Sequence, residues 1–310
     1  MFPYSNSNKR YHTLDFHLKQ TFGTKVVKVP LNAGFTCPNI DGSKGYGGCT
    51  YCSDVGSGDF AGNPEFTLKD QFEETRALTL NKWNNTKYIA YFQAHTNTYA
   101  PLPMLKHNFE QALSFANVVG LSIATRADCL SDEVVDYLSE LNQRTYLIVE
   151  LGLQTIHDET AHIINRCHSY QDFLSGFNKL YEKGIRVCVH VINGLPKETK
   201  HMMLETVNAV AHVPIHSIKI HLLHVLKDTV IAKQLENHEF ELLELDDYVN
   251  LVCDEIELLP PQIVIQRITG DGDKNKLIGP LWSLDKRKVL NEIDKELARR
   301  NTYQGAKFFD

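Results

Sequence analysis

The chain has 310 residues, of which 43% are hydrophobic and 23% charged, and its formal net charge is −6. This composition is typical of a soluble globular protein with a sizeable core. The acidic balance argues against a protein that coats nucleic acid, although it leaves room for a local basic face. The N-terminal segment lacks the apolar stretch of a secretory signal, and no run of about 18 apolar residues predicts a membrane span. We therefore expect a cytoplasmic protein, in which the clustered members of its seven cysteines are metal ligands or catalytic groups rather than disulfides.

Short β-branched runs alternate with polar helical stretches along the first two thirds of the chain. Strands are predicted over 24–35, 87–96, 118–128, 145–155, 185–196 and 217–227. Helices are predicted over 67–83, 101–116, 130–143, 169–184 and 199–213. Thr67 and Ser131 are the expected N-caps, and Gly184 the expected C-terminal stop. Six βα units with nearly continuous apolar strands predict an α/β fold, a partial (β/α)6 TIM-like barrel.

The rhythm changes after residue 228. A helix is predicted over 240–259, a late strand over 262–271 and a mixed-charge helix over 283–301. We interpret these elements as a C-terminal helical extension packed on the barrel. The expected organisation is an N-terminal extension (1–20), a core domain (21–262) and a C-terminal extension (263–310).

Cys37, Cys49 and Cys52 lie in the glycine-rich stretch GFTCPNIDGSKGYGGCTYCS (34–53), directly after the first predicted strand. Ligands of such a barrel bind at the C-terminal ends of its strands, so the loop belongs to that face. Thiolates select zinc, copper(I) or iron–sulfur clusters. A structural zinc ion would need a fourth protein ligand, such as Cys167 or His168. A [4Fe–4S] cluster on three cysteines instead leaves one iron open to a small ligand.

This loop, placed after the first strand of a partial barrel, resembles that of the radical S-adenosylmethionine (SAM) superfamily. The usual spacing there is C-x3-C-x2-C, whereas this sequence has C-x11-C-x2-C. The long spacing, with GFTCPN, GGCTYCS and GSGDFAG (56–62), is similar to the YtqA/YhcC-type clade, which is related to elongator catalytic subunits. The resemblance implies that Cys37, Cys49 and Cys52 are catalytic ligands of a [4Fe–4S] cluster that binds SAM and yields a 5′-deoxyadenosyl radical. A zinc-binding module is the alternative.

Two later strand ends carry candidates for binding SAM. The stretch YFQAHTNTYAP (91–101) offers Gln93 and Asn97, although these residues could instead only close the strand. VELGLQT (149–155) resembles the E-x-G-x-Q-S strand of elongator-type and coproporphyrinogen-oxidase-type members. That resemblance implies that Glu150 and Gln154 bind SAM. The alternative for Glu150 is a buried carboxylate paired with a neighbouring cation of the barrel.

Further candidates follow from the same resemblance. Arg166 matches an arginine of the family, whose guanidinium suits the carboxylate of SAM. HVINGLPKET (190–199) is close to the family's G-L-P-G-E-T turn, which implies that Asn193 lies near the adenine. Val225 stands where members bind adenine through backbone groups, and His221 is a substrate-site candidate. Arg126 and Asp128 could contact ligands or pair with each other.

The substrate is suggested by charge and by the resemblance. Basic residues cluster in the first 30 residues and again in the C-terminal part of the chain, and they could form a phosphate-binding face if the two segments meet. A solvated surface is the alternative. Elongator-type relatives act on the wobble uridine of tRNA, which implies a tRNA substrate modified at its 5-substituent, with flavodoxin or ferredoxin as electron donor. A small metabolite or porphyrin is the alternative substrate.

Overall fold

The computed structural model describes residues 9–53, 56, 61–80, 82–83 and 86–309. Seven parallel strands form one curled sheet in the spatial order β1-β2-β3-β4-β5-β6-β8. The strands are β1 (Val26–Leu31), β2 (Lys87–Phe92), β3 (Val118–Thr125), β4 (Tyr146–Gln154), β5 (Arg186–Asn193), β6 (Ser217–Leu222), β7 (Val225–Leu226), β8 (Val264–Arg267) and β9 (Leu277–Gly279). The predicted partial barrel is confirmed, because β1 to β6 are the six predicted strands and β8 is the predicted late strand.

Helices follow the strands and cover the outer face of the sheet. They are α1 (Leu14–Phe22), α2 (Leu68–Leu80), α3 (Leu102–Leu113), α4 (Asp132–Arg144), α5 (Asp158–Ile163), α6 (Tyr170–Glu182), α7 (Lys200–Ala211), α8 (Val230–Glu236), α9 (Leu245–Leu258) and α10 (Lys286–Arg299), with a 3-10 turn at Leu281–Leu284. The predicted stop at Gly184 is confirmed, since this residue has φ +66° directly after α6. Thr67 caps α2 by accepting a hydrogen bond from the backbone N–H of Asp70 at 3.1 Å. Ser131 precedes α4 without a side-chain cap bond.

The sixth predicted strand is wrong in its last part. The chain leaves the sheet after Leu222, and β7 pairs antiparallel with β9 instead. Val225 is buried in a separate apolar cluster with Leu195 and Ile231, so burial against this cluster replaces pairing in the main sheet. The sequence also gave no warning of α1, α5 and α8, which are short and carry few buried side chains.

The N-terminal segment packs against the C-terminal one. The backbone N–H of His12 donates to Gln304 Oε1 at 2.7 Å, and Arg10 Nη1 donates to the carbonyl of Thr302 at 3.0 Å. Thr13 forms a parallel bridge with Ile265 of β8, while α9 packs against α7 and α10. Within the described residues, every helix is too short or too polar to cross a lipid bilayer.

Candidate active site

A cavity of about 300 Å³ lies at the C-terminal ends of the strands, where the sequence places the ligands. The loop after β1 contributes Cys37, Cys49 and Cys52 to its lining. Later loops and strands contribute Gln93, His95, Thr96, Arg126, Gly152, Gln154, Arg166, His168, His190, Lys219, His221, His224 and Arg267. The structure therefore brings eight residues that the sequence singled out to one cavity: Cys37, Cys49, Cys52, Gln93, Arg126, Gln154, Arg166 and His221.

The cysteine loop is fastened to the segment that follows α5. The amide of Asn165 donates to the carbonyl of Gly48 at 2.7 Å, and the side chain of Asn39 donates back to the carbonyl of Asn165 at 2.5 Å. The N–H of Thr50 donates to the carbonyl of Ile164 at 3.0 Å. Gly48 has φ +75°, a left-handed conformation that favours glycine. Residues 57–60 of the GSGDFAG segment lie outside the described residues.

The local environment favours a thiolate at Cys49. A hydrogen bond with Cys52, helped by Tyr51, Asn39 and the charge of Arg126, lowers the pKa of Cys49 to about 7. Thiolates, not thiols, bind metals. The donor set of the loop therefore suits an iron–sulfur cluster or zinc.

The spacing of the three sulfurs favours the larger of these two groups. Among the described residues, Glu150, Cys188 and His190 are the only three potential ligands whose donor atoms lie mutually within 4.8 Å, so at least one of the three distances between the loop sulfurs exceeds 4.8 Å. Sulfurs bound to one zinc ion at about 2.3 Å lie within roughly 4 Å of each other. The Sγ atom of Cys167 lies 3.2 Å from Asn165 Oδ1, and burial raises the pKa of this thiol. The loop residues fit a multi-iron cluster better than a compact zinc site.

Glu150 lies inside the barrel with its side chain fully buried. Lys28 Nζ and Ser122 Oγ each lie 2.5 Å from its Oε1. His190 Nε2 lies 2.7 Å from Oε2, which also forms an ion pair with Lys219. Burial alone would raise the pKa of Glu150, but the charges of Lys219 and Lys28 and the bond from His190 hold it well below its usual range. The pairing with barrel cations, left open by the sequence, is present, and a contact of Glu150 with SAM remains a prediction.

The buried position of this network also lowers the pKa values of Lys219 and His190. Burial lowers the pKa of Lys219 to about 8, against the opposing effect of Glu150. Burial also lowers the pKa of His190 to about 4, so its imidazole is neutral near pH 7 and Nε2 donates to the carboxylate. These cations were missed in the sequence. The available signal was a lysine inside each of two apolar strands, TKVVKVP (24–30) and SIKIHLL (217–223).

Gln154 faces the cavity from a strained position. Its φ is +63°, an unusual value for a residue with a side chain, and the register of β4 shifts just before it. A Cβ atom on Gly152 would lie 2.5 Å from Gln154 Nε2, so the glycine leaves room for the amide. Gln154 Oε1 is buried without a hydrogen-bond partner in the described part of the chain. This arrangement suits a ligand contact, and its role in binding SAM remains a prediction.

Three predicted residues stand behind the cavity wall. Asn97 Nδ2 donates to the carbonyl of Ala124 at 2.8 Å and so ties the end of β2 to β3. Asn193 Nδ2 donates to Glu255 Oε2 at 3.0 Å, and Val225 is fully buried in β7. These contacts shape the wall of the cavity. The binding of SAM by Asn97, Asn193 and Val225 remains a prediction.

Two of the three arginines that line the cavity, Arg126 and Arg166, are engaged by protein groups. Arg126 forms a two-pronged pair with Asp128, with both N–O distances at 2.9 Å, as one of the sequence alternatives predicts. Arg166 is 1% exposed and donates to the carbonyls of Thr155 at 2.6 Å and His168 at 2.9 Å. Arg166 therefore ties together the backbone segments that line the cavity. If Arg166 also binds the carboxylate of SAM, its N–H groups must serve both the carboxylate and these carbonyls.

The stability of the protein should depend on pH through Glu255, which accepts a hydrogen bond from Asn193 behind the cavity. Burial raises its pKa to about 8, against a bond from Asn193 that lowers it, so the folded protein keeps this carboxyl protonated near pH 7. The unfolded chain ionises near pH 4.5, so the folded state loses stability as pH rises from there to about 8, by about 1.4 kcal/mol per pH unit. We expect Glu255→Gln to increase the free energy of unfolding, with a gain that grows by roughly 2–3 kcal/mol between pH 6 and pH 8.

Urea unfolding at both pH values measures this gain. Glu241→Gln, at an exposed position, is the matched control and should show no such growth. An equal effect of Glu255→Gln at pH 6 and pH 8 would contradict a protonated, buried Glu255.

Two models of known protein domains match most of this chain. The model of the radical SAM superfamily matches residues 44–210, and the model of the radical SAM C-terminal domain matches residues 215–299. The chain belongs to the radical SAM superfamily. Enzymes of this superfamily use a [4Fe–4S] cluster and SAM, and membership therefore favours the cluster over the zinc-binding module.

The relatives of this radical SAM protein confirm the resemblance found in its sequence. YtqA of Bacillus subtilis (strain 168), an uncharacterized protein, is 57% identical over 308 residues, which cover 99% of this chain and 95% of YtqA. The solved structure of archaeal Methanocaldococcus infernus Elp3, with residues 1–46 deleted, has a TM-score of 0.66 at 15% identity. That match covers 90% of this chain and 64% of the Elp3 chain, and it confirms the fold.

A more distant relative is the tRNA uridine(34) acetyltransferase of Methanocaldococcus infernus. It is 25% identical over 157 residues, which cover 49% of this chain and 29% of that protein. The similarity is therefore limited to about half of the present chain and to a minor part of the relative.

Proposed function

We propose that this radical SAM enzyme modifies the 5-substituent of the wobble uridine of a tRNA, works in the cytoplasm, and takes its electron from flavodoxin or ferredoxin. The observation that carries the proposal is a second cavity, of about 720 Å³, which opens at the side of the barrel and joins the cysteine-lined cavity. The limited similarity to a tRNA uridine(34) acetyltransferase supports the choice of uridine.

The second cavity lies between the two edge strands of the sheet. Its lining includes Lys28 and Pro30 of β1 on one side and Gln266 and Arg267 of β8 on the other. Tyr91, Gln93, Lys219 and Arg267 line both cavities, so the two spaces adjoin. An entrance between the edge strands admits a projecting group such as an unstacked base from an anticodon loop, which is more accessible than a base in a duplex.

Five exposed cations, called the basic rim below, lie in or beside the segments that line this entrance, whose lining also includes Asp271 and Asp273. None of these five has a carboxylate within 4 Å of its charged nitrogens among residues 9–53, 56, 61–80, 82–83 and 86–309. They are Lys227, Lys274, Lys276, Arg287 and Lys288. The first turn of α10 holds three basic residues and no acidic one, although helix N-termini favour acidic side chains. An RNA phosphate would compensate these charges.

The basic residues near the N-terminus contribute less to this rim. The N-terminal and C-terminal segments meet, as the proposed phosphate-binding face requires, through the ion pair of Lys9 with Asp294. Lys19 and Lys25 both pair with Asp15, and Lys28 pairs with Glu150. Most of this N-terminal charge is therefore neutralised by protein carboxylates, and the rim defined by the five unpaired cations is the stronger candidate for binding RNA.

The chain's own residues have separate parts in the proposed reaction. The bound cluster and SAM supply a radical that abstracts hydrogen. The three loop thiolates hold the cluster, and the buried Glu150 network keeps the interior of the barrel rigid beside it. The basic rim holds the tRNA so that one base reaches the inner cavity.

The nucleosides of tRNA test this function. A strain that lacks the protein should contain one altered wobble uridine, and the purified enzyme with SAM and reductant should convert tRNA from that strain while forming 5′-deoxyadenosine. An unchanged nucleoside profile would reject the tRNA substrate. Formation of 5′-deoxyadenosine only with added small metabolites would favour the alternative substrate class.

The basic rim yields a second expectation. Replacing Lys274, Lys276, Arg287 and Lys288 together with glutamine should weaken tRNA binding by roughly 10- to 100-fold in low salt and reduce the slope of log K against log salt by about 0.7–0.9 for each lost contact. Filter binding over a salt series measures both quantities. A variant with Lys179→Gln and Lys183→Gln, two lysines that pair with Asp132 and Asp136, is the control and should bind as the wild type does. Equal salt slopes in all three proteins would remove the rim from the binding site.

A further inference from the structure

Arg267 ends β8 at the place where the two cavities adjoin. It is half-buried, and its guanidinium makes neither an ion pair within 4 Å nor a hydrogen bond with the residues that the structure describes. The nearby acids are used elsewhere, since Asp271 pairs with Lys286 at 2.6 Å and Asp273 Oδ1 accepts from the N–H of Asn275 at 3.0 Å. A partly buried cation without a partner is costly, which indicates that a ligand completes the site.

The groups around Arg267 also lack partners. The Nε2 atoms of His221 and His224 are buried and form no hydrogen bond within the described residues. Both imidazoles line the cysteine-lined cavity beside Arg267. Burial lowers the pKa of His224 to about 4, and burial together with the charges of His190 and Arg267 lowers that of His221. Both rings are neutral near pH 7, so each can donate one hydrogen bond without adding positive charge.

The loop after β8 packs closely against His224, which lines the cavity. A Cβ atom on Gly270 would lie 3.1 Å from His224 Cε1, and one on Gly272 would lie 3.2 Å from Leu277 Cδ1. The segment TGDGD (269–273) therefore runs close against His224 because two of its residues have no side chain. Lys219 lies on the same wall, but Glu150 already neutralises it.

We propose that Arg267, His221 and His224 form a binding site for an oxyanion of the substrate, either a carboxylate on the substituent of the base or a phosphate of the adjoining backbone. The inference rests on the proposed tRNA function for its natural ligand. A guanidinium binds the two oxygens of a carboxylate or phosphate at once, and neutral imidazoles supply directional donors beside it. The site would fix which substituent is presented to the cysteine loop.

Arg267→Gln tests the site in the anaerobically loaded enzyme, with Lys179→Gln, at a lysine outside the rim that pairs with Asp132, as the matched control. Two anticodon stem-loops are compared by fluorescence anisotropy, one with uridine and one with 5-carboxymethyluridine at the wobble position. Loss of a charge-assisted bond is worth about tenfold or more in affinity. A tenfold loss confined to the carboxymethyl form in Arg267→Gln identifies the carboxylate as the ligand. An equal loss for both stem-loops, with no loss in Lys179→Gln, identifies a phosphate. Wild-type binding of both stem-loops by Arg267→Gln overturns the proposal.

A second measurement is independent of RNA. Sodium acetate and inorganic phosphate should each be tested for a rise in the thermal unfolding midpoint, which one or both should produce in the wild type and neither in Arg267→Gln. If the wild type binds neither stem-loop, the proposed tRNA function is wrong. The change in the unfolding midpoint with acetate or phosphate then still tests whether the oxyanion site exists. Absence of any anion effect together with absence of stem-loop discrimination overturns the site. Equilibrium dialysis of SAM must give equal affinities for both proteins, because a loss in Arg267→Gln would make Arg267 a cofactor ligand and overturn the assignment.

Discussion

Cys52→Ala should leave a folded protein that assembles no stable [4Fe–4S] cluster and forms 5′-deoxyadenosine only at background level. Cys37, Cys49 and Cys52 all line one cavity, and their loop is fixed by the bonds from Asn165 and Ile164. Removing one thiolate leaves two, which cannot hold a cubane securely. Iron content, visible absorption and 5′-deoxyadenosine after anaerobic reconstitution measure the effect.

Cys167→Ala is the matched control for this experiment. Cys167 follows Asn165 and Arg166 in the chain, and its Sγ atom already has a contact with Asn165 Oδ1 at 3.2 Å. We therefore expect this variant to keep its full iron content and its cleavage of SAM. Loss of the cluster from Cys167→Ala, or from His168→Ala, would show that a protein side chain fills the fourth position. An intact cluster in Cys52→Ala would contradict the whole assignment.

Glu150→Gln should lower the free energy of unfolding by roughly 3–5 kcal/mol, because it leaves two buried lysines without their carboxylate. Lys28 and Lys219 both pair with Glu150, and their side chains are only 14% and 8% exposed. Urea unfolding of the loaded enzyme at pH 7 measures the loss. A loss below about 1 kcal/mol would show that water enters the barrel and replaces the carboxylate.

Adding Lys219→Met to Glu150→Gln should restore part of this stability, because one uncompensated charge is removed with its partner. The effect of Glu150 also depends on pH. The folded pKa of Glu150 lies well below its usual range, so its stabilisation is complete above the unfolded pKa near 4.5 and is lost as pH falls through the folded value. The difference between the wild type and Glu150→Gln should therefore shrink in acid. Lys219→Met alone serves as the control for the loss of the lysine.

The barrel and its cysteine loop could be predicted because their signals are local. Continuous apolar runs identified the six strands, and three cysteines with glycines between them identified the loop before any tertiary contact was known. The short strand β7 could not be predicted, because Val225 and Leu226 follow β6 closely and only the tertiary pairing with β9 separates them.

The residues inside the barrel were harder to find for a different reason. A lysine such as Lys28 or Lys219 in an apolar strand signals burial, but the sequence does not show which residues face the same interior. Arg267 is 239 residues after Lys28, and only the curling of the sheet brings both to one cavity. For Gln154, the sequence predicted the position at the end of a strand, but it did not predict the left-handed backbone conformation.

The gap between β1 and β8 has a consequence for how this enzyme could diversify. A complete eight-stranded barrel closes by backbone hydrogen bonds and fills its centre with its own side chains. Here α1 and residues 271–275 line the two sides of the entrance between β1 and β8 and so set its width. Changes in α1 or in residues 271–275 could therefore admit larger or smaller substrates during evolution. The parallel sheet that positions the cysteine loop would stay the same.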